Sequence, residues 1–98
     1  MKITFVKKIK ADGSPCKKCA DVERRLIDNN QIDLIDEIVV ADERDNDSAG
    51  MLLARAHKVE QAPFFLVDDG QKIIVYTVYF QLVKEVLKPR TLEKNLTP

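Results

Sequence analysis

The chain has 98 residues, which supports one hydrophobic core but not two, so we expect a single domain over residues 1–98. Its 16 basic and 16 acidic residues give a formal net charge of zero, which argues against the basic surface of a nucleic-acid-binding protein. The opening residues, MKITFVKKIK, hold no apolar run long enough for a signal peptide or a membrane span. We therefore expect a cytoplasmic protein that binds neither nucleic acid nor membranes and whose partners are proteins or small thiols.

Strand and helix patterns alternate in the first half of the chain. KITFVKKI is rich in β-branched and aromatic residues and predicts a strand. Between residues 16 and 30, apolar residues recur every three or four positions while charged residues take the other face, which predicts an amphipathic helix starting at the cysteines. Residues 35–41, with EIVVA at their centre, predict a strand buried on both faces.

The second half predicts a helix, a hairpin and a closing helix. Asp47 or Ser48 can cap a helix that runs to His57 or Lys58. APFFLVDDGQKIIVYTV predicts two antiparallel strands joined by a turn at residues 68–71, because Asp-Gly between β-rich runs favours a hairpin. Residues 78–88 have apolar side chains at helical spacing, and we expect this helix to end before Pro89, with a flexible tail over residues 89–98.

This element order, βαβαββα, predicts an α/β fold. A βαβ unit is parallel and right-handed, and the hairpin that follows adds antiparallel strands. We therefore expect a central mixed four-stranded sheet with helices on both faces.

Both cysteines lie in one short motif, Cys16-Lys17-Lys18-Cys19, at the predicted start of the first helix. The thiolate is the nucleophile in disulfide exchange, and unpaired N–H groups at a helix start would lower the pKa of Cys16. Lys17 and Lys18 would add positive charge with the same effect. The motif thus predicts Cys16 as an exposed attacking thiolate and Cys19, one helical turn along, as a buried resolving thiol.

Other interpretations of the cysteines stay open. Both could be idle, reduced side chains at a helix start. A zinc site within one chain is not expected, because zinc needs four ligands and the sequence offers two thiols and the distant His57, which we expect at a helix end. Two copies could still assemble four thiolates for zinc or an iron–sulfur cluster. We predict no resident metal or cofactor.

The element order, with CxxC at the first strand–helix junction, resembles the thioredoxin-like superfamily. A second stretch, HKVEQAPFFLVDDGQK, is similar to the family segment in which a cis-proline opens the third strand. The resemblance implies a thioredoxin-like fold with Pro63 as the cis-proline, and a backbone at Ala62 that faces the dithiol and pairs with an extended substrate chain. The implied activity is thiol–disulfide exchange with a disulfide-containing protein or a small thiol.

The chain departs from thioredoxins proper around the cysteines. Pro15 stands where the family has Trp, and Lys17-Lys18 stands in place of Gly-Pro. The buried aspartate of thioredoxins would fall near Lys10, so the usual proton acceptor is missing unless Asp12 substitutes for it. These departures favour a divergent member, and an adaptor module that kept the fold without the chemistry is the alternative.

The chain also departs from glutaredoxins. Gln61-Ala62 stands where Thr-Val precedes the cis-proline, and IVYTVYF replaces the Gly-Gly and Asp segment that holds glutathione. Whether glutathione is a partner is therefore left open, because the chain has only part of the usual glutathione-binding motif. We expect Phe64, Phe65 and residues 76–80 to belong to the core, with Tyr79 alone reaching the surface, and the acidic run at residues 42–47 to be a solvated loop.

Overall fold

The computed structural model describes residues 1–96, in which strands and helices follow the predicted βαβαββα order. The elements are β1 Lys2–Ile9, α1 Lys17–Asp28, a 3₁₀ turn Ile32–Leu34, β2 Glu37–Asp42, α2 Ala49–Ala56, β3 Phe64–Asp68, β4 Ile73–Tyr76, α3 Tyr79–Leu82, a π-helical turn Val83–Leu87 and α4 Lys88–Leu96. Every helix in this part of the chain is too short or too polar to cross a membrane.

The strands form one mixed four-stranded sheet in the order β2-β1-β3-β4. β1 runs parallel to β2 and antiparallel to β3, and β3 and β4 are the two arms of the predicted hairpin. Phe5 of β1 lies opposite Phe65 of β3, and their rings stack with centroids 4.9 Å apart. The predicted mixed sheet is confirmed.

Helices cover both faces of this sheet, as predicted. The first face packs against α1, α3 and the π-helical turn, and its buried side chains include Ile3, Phe5, Leu26, Phe65, Leu82 and Leu87. The second face packs against α2, and its side chains include Val6, Val39, Ala41, Met51, Ala54, Phe64 and Leu66. Adjacent residues of β1 and β3 thus alternate between two clusters, as expected for strands covered on both sides.

The prediction that the second strand is buried on both faces is wrong for Ile38. This side chain lies opposite Phe5 in the register of β1 and β2, yet it is exposed. β2 is an edge strand, and the buried cluster on the first face draws its strand residues from β1, β3 and β4 in the part of the chain that the structure describes. The helices that pack on the first face therefore do not cover the edge strand β2 at Ile38.

The prediction that the last helix ends before Pro89 is also wrong, because the helical backbone continues to Leu96. The wider π-helical turn ends at Leu87, just before Pro89: the Lys88 N–H still bonds to the Val83 carbonyl, five residues back. Arg90 donates to the Leu34 carbonyl at 3.1 Å and to the Asp36 carboxylate at 2.9 and 3.1 Å. The predicted tail is therefore helical as far as Leu96, and residues 97–98 lie outside the described part.

Helix α2 lies unusually close to β2 at Gly50. A Cβ atom at this position would lie 2.3 Å from the Ala41 nitrogen and 2.5 Å from the Val40 carbonyl carbon. Only a residue without a side chain allows this approach. Gly50 therefore fixes the depth at which α2 packs on the second face of the sheet.

We expect Gly50→Ala to lower the free energy of unfolding by about 1–3 kcal/mol in urea denaturation, since the added methyl group must displace backbone. The sign is informative, because helix propensity alone would favour alanine by about 0.8–1.0 kcal/mol. Ala56→Ser, at an exposed position of the same helix, should change stability by less than about 0.5 kcal/mol. An unchanged or increased stability of Gly50→Ala would contradict the close approach.

Candidate functional site: a dithiol at the start of helix α1

The loop between β1 and α1 brings the dithiol back to the end of β1. The loop is closed by hydrogen bonds from the Lys10 N–H to the Ser14 carbonyl at 2.9 Å and from the Gly13 N–H to the Lys10 carbonyl at 2.8 Å. Gly13 has a φ of +84°, a conformation that glycine adopts without strain. Pro15 then forms a bridge with Ile9, so the chain enters α1 alongside the strand it has just left.

Cys16 is the N-cap residue of α1, as predicted for a helix that starts at the cysteines. Its extended backbone places Sγ over the first turn, where it accepts a hydrogen bond from the Cys19 N–H at 3.3 Å. Sulfur thus takes the place of the oxygen acceptor that usually satisfies a free N–H group at a helix start. The two cysteines are in contact through this bond, and neither is in a disulfide.

The backbone of Lys8 holds both cysteines. Its carbonyl accepts from the Cys16 N–H at 3.3 Å, and its N–H donates to Cys19 Sγ at 3.4 Å. Lys8 precedes the last residue of β1, so the position of the dithiol is tied directly to the sheet.

The prediction that Cys16 is exposed is wrong, whereas the predicted burial of Cys19 is confirmed. Cys16 is 7% exposed and Cys19 is 3% exposed. Cys16 is buried because its side chain folds back onto the first turn of α1 to accept the Cys19 N–H.

The two thiols have opposite pKa shifts. Burial raises the pKa of Cys16, but hydrogen bonds from the Cys19 side chain and from the N–H groups of Cys19 and Lys18 outweigh it. With the positive charge of Lys8, they bring the pKa of Cys16 below its ordinary value. Burial, together with the hydrogen bond to Cys16 and the Cys16 negative charge, raises the pKa of Cys19 to about 12. The site therefore favours the negative charge on Cys16 over Cys19 and keeps the Cys19 thiol protonated.

The lysines between the cysteines contribute differently from what the sequence predicts. Among the leading causes of the lowered Cys16 pKa, Lys18 acts through its backbone N–H and the positive charge is that of Lys8. The side chains of Lys17 and Lys18 are exposed, where water screens their charge. Lys8 was missed at the sequence level, although a βαβ unit does bring the end of its first strand to the start of its helix.

Asp12 does not substitute for a buried proton acceptor. It is exposed and accepts hydrogen bonds from the Ser14 hydroxyl at 2.6 Å and the Ser14 N–H at 2.9 Å. These hydrogen bonds, with the hydroxyl contribution larger, lower the pKa of Asp12. The Asp12 carboxylate therefore stabilises the loop, and the hydrogen bonds to the two sulfurs come from backbone groups and from the other thiol.

The second predicted segment lies next to the dithiol motif. The peptide bond between Ala62 and Pro63 is cis, as the resemblance implies. Both residues line a groove of about 240 Å³ that Lys18 also lines. The structure therefore brings Lys18, Ala62 and Pro63 together, whereas Lys17 is exposed at the start of α1.

The far wall of this groove was missed at the sequence level. Thr77 and Tyr79, on either side of Val78 after β4, line the groove, and the Tyr79 hydroxyl donates to the Gln31 side chain. The only available signal was that these residues follow a strand of the predicted hairpin, at the same end of the sheet as the start of β3.

The prediction that residues 76–80 belong to the core, with Tyr79 alone reaching the surface, is wrong. Thr77, Val78 and Phe80 are exposed, Phe80 at 66%, whereas Tyr76 is buried and Tyr79 is half-buried. α3 begins at Tyr79 and buries Leu82, and a residue two positions before Leu82 lies on the opposite side of a helix. The Phe80 ring instead contacts the Arg25 guanidinium, 5.6 Å from its centroid. Phe64 and Phe65 are buried, as predicted.

His57 is the C-cap residue of α2, as predicted for a helix-end residue. Among the side chains of residues 1–92, no group of three or more His, Cys, Asp or Glu is arranged to hold a metal ion.

No protein-family model, curated protein or solved structure matches the chain. Membership of the thioredoxin-like superfamily stays a prediction from the resemblance of motifs.

We expect iodoacetamide to alkylate Cys16 faster than Cys19 in the reduced protein, because the thiolate is the reacting form. Initial rates against pH, read by peptide mass, should give a Cys16 midpoint below that of the same cysteine in urea. Lys8→Met should raise this midpoint, and Lys17→Met is the matched control that should leave it in place. A folded-state midpoint at or above that in urea would contradict the asymmetry of the two thiols.

Proposed function

We propose that the chain is a thiol–disulfide oxidoreductase with a thioredoxin-like fold. The main support is the opposite pKa shift of two thiols within one helical turn, where the Cys19 N–H donates to Cys16 Sγ. Disulfide exchange needs one thiolate that attacks and a second thiol held in reserve beside it. The sheet order, the helices on both faces and the cis bond before Pro63 agree with the family resemblance.

In the first step, the Cys16 thiolate attacks one sulfur of a substrate disulfide. A bond forms between Cys16 Sγ and that sulfur, the substrate S–S bond breaks, and the other sulfur leaves as a thiolate that takes a proton from water. The product is a mixed disulfide between Cys16 and the substrate. Before the attack, the Cys19 N–H holds the nucleophilic sulfur in place.

In the second step, Cys19 attacks Cys16 Sγ and releases the second substrate thiolate. A Cys16–Cys19 disulfide forms, so the dithiol loses two electrons and the substrate gains them. Cys19 must first lose its proton to water, and two of the causes that raise its pKa are the hydrogen bond to Cys16 and the Cys16 charge. Both disappear when the Cys16 thiolate becomes a mixed disulfide. The first step therefore activates the second thiol.

The hydrogen bond from the Lys8 N–H remains after the first step and favours the Cys19 thiolate. A backbone N–H, rather than a carboxylate, thus assists the resolving thiol, because it stabilises the Cys19 thiolate. Two external thiols, or one dithiol, then reduce the Cys16–Cys19 disulfide by the same exchange in reverse; they become a disulfide and supply the two electrons for the next cycle.

Ala62 is proposed to present the substrate to the dithiol. Within residues 1–96, its backbone N–H and carbonyl have no hydrogen-bond partner, and it lines the groove beside Lys18. Free backbone groups next to a strand start can pair with an extended polypeptide, which is the role that the family resemblance implies for this residue.

The two single cysteine variants test this proposal. We expect Cys19→Ser to accumulate a mixed disulfide at Cys16 when mixed with a synthetic disulfide-linked peptide, because the resolving thiol is absent. Intact-mass measurement should show one peptide added per chain. Wild type should instead release both peptide thiols and end as the internal disulfide.

Cys16→Ser is the matched control and should form no adduct, since the protonated Cys19 thiol is a poor nucleophile. A Cys19→Ser protein that traps no peptide while wild type reduces it would contradict the assigned roles. If wild type also leaves the peptide disulfide intact, the chain is not an oxidoreductase and the adaptor alternative stands.

A further inference from the structure

Two exposed lysines lie next to the attacking sulfur without an ion pair. Within residues 1–92, Lys17 and Lys18 form no salt bridge, whereas Lys7 and Lys8, at the end of β1, pair with Glu23 and Glu43, respectively. The side-chain charges of Lys17 and Lys18 are not among the leading causes of the Cys16 pKa shift. Their placement beside the dithiol therefore calls for a role other than tuning the thiolate.

Two carboxylates lie near these lysines in sequence, and neither forms a salt bridge with Lys17 or Lys18 in residues 1–92. Asp12 accepts hydrogen bonds from Ser14, and Asp21, one turn along α1, lines the groove beside Lys18. The start of α1 adds the positive end of the helix dipole. An approaching substrate therefore meets the unpaired charges of Lys17 and Lys18 next to the dithiol.

The groove next to Lys18 fits part of a chain better than a whole small molecule. Its volume of about 240 Å³ is below the range of roughly 300–1,000 Å³ typical of small-ligand pockets. Beyond its far wall, Val78 is 52% exposed and Phe80 is 66% exposed. A polypeptide that runs from the dithiol through the groove would reach these apolar side chains, whereas a tripeptide thiol would leave them in water.

We propose that the physiological substrate is a polypeptide disulfide whose residues beside the reacting cysteine are acidic. Lys17 and Lys18 attract these residues, and the groove formed by Lys18, Ala62 and Tyr79 holds the adjoining chain. This inference rests on the proposed oxidoreductase function and adds the class of substrate. Charge attraction of this kind raises the rate of encounter and weakens with salt.

The test uses three synthetic peptide disulfides that are identical except for Asp, Ser or Lys beside the cysteine. Reduced wild-type protein is mixed with each peptide, and single-turnover rates are compared at ionic strengths of about 0.01 M and about 1 M, where the Debye length is about 30 Å and about 3 Å. At low salt, the Asp peptide should react at least about tenfold faster than the Lys peptide. At high salt the two rates should converge.

The charge-reversal variant Lys17→Glu/Lys18→Glu should invert this preference. Its matched control is Lys72→Glu/Lys88→Glu, which changes net charge equally at the opposite end of the sheet. Lys72 lies in the β3–β4 turn, and α4, which begins at Lys88, is tied by Arg90 to Asp36 next to the start of β1. This control should keep the wild-type order. The Ser peptide reports any change in the reactivity of Cys16 itself.

Failure of this inference differs from failure of the proposed function. Equal rates for all three peptides, or a preference that the Lys17→Glu/Lys18→Glu variant does not alter, would overturn the acidic substrate and leave the oxidoreductase in place. Glutathione disulfide reacting faster than the Asp peptide would overturn the polypeptide substrate. No reduction of any disulfide would overturn both proposals.

Discussion

The site depends on one pair of hydrogen bonds made by the backbone of Lys8. Its carbonyl accepts the Cys16 N–H, and its N–H donates to Cys19 Sγ. Because β1 is a central strand with neighbours on both sides, these bonds fix the dithiol to the most constrained part of the sheet. They hold the start of α1 against the end of β1.

Two chemically identical thiols differ here because Cys19 is more deeply buried and because the two sulfurs receive different hydrogen bonds. Cys16 Sγ accepts hydrogen bonds from N–H groups at the helix start, which favour its negative charge and lower its pKa. Cys19 lies deeper and beside that negative charge, and both effects raise its pKa. The asymmetry is therefore reciprocal: the state of Cys16 sets the pKa of Cys19. This coupling gives the proposed mechanism its order of steps without a separate general base.

Local patterns predicted the element order, the helix start at Cys16 and the hairpin, because capping and strand signals lie within a few residues of sequence. Errors arose where burial and helix ends depend on the exact geometry of a helical turn or on contacts between distant segments. The burial of Cys16 depends on the folded first turn, the exposure of Phe80 on where α3 begins, and the continuation of the helix through Pro89 on a π-helical turn. Lys8 was missed because its role appears only when β1 and α1 meet.

The most direct test of the central claim is equilibration of the purified protein in glutathione redox buffers, with the Cys16–Cys19 disulfide quantified by mass. A working dithiol should open and close reversibly at a potential between about −120 and −270 mV, the range of known exchange catalysts. A disulfide that never forms, or forms only under a harsh oxidant, would contradict the proposed oxidoreductase.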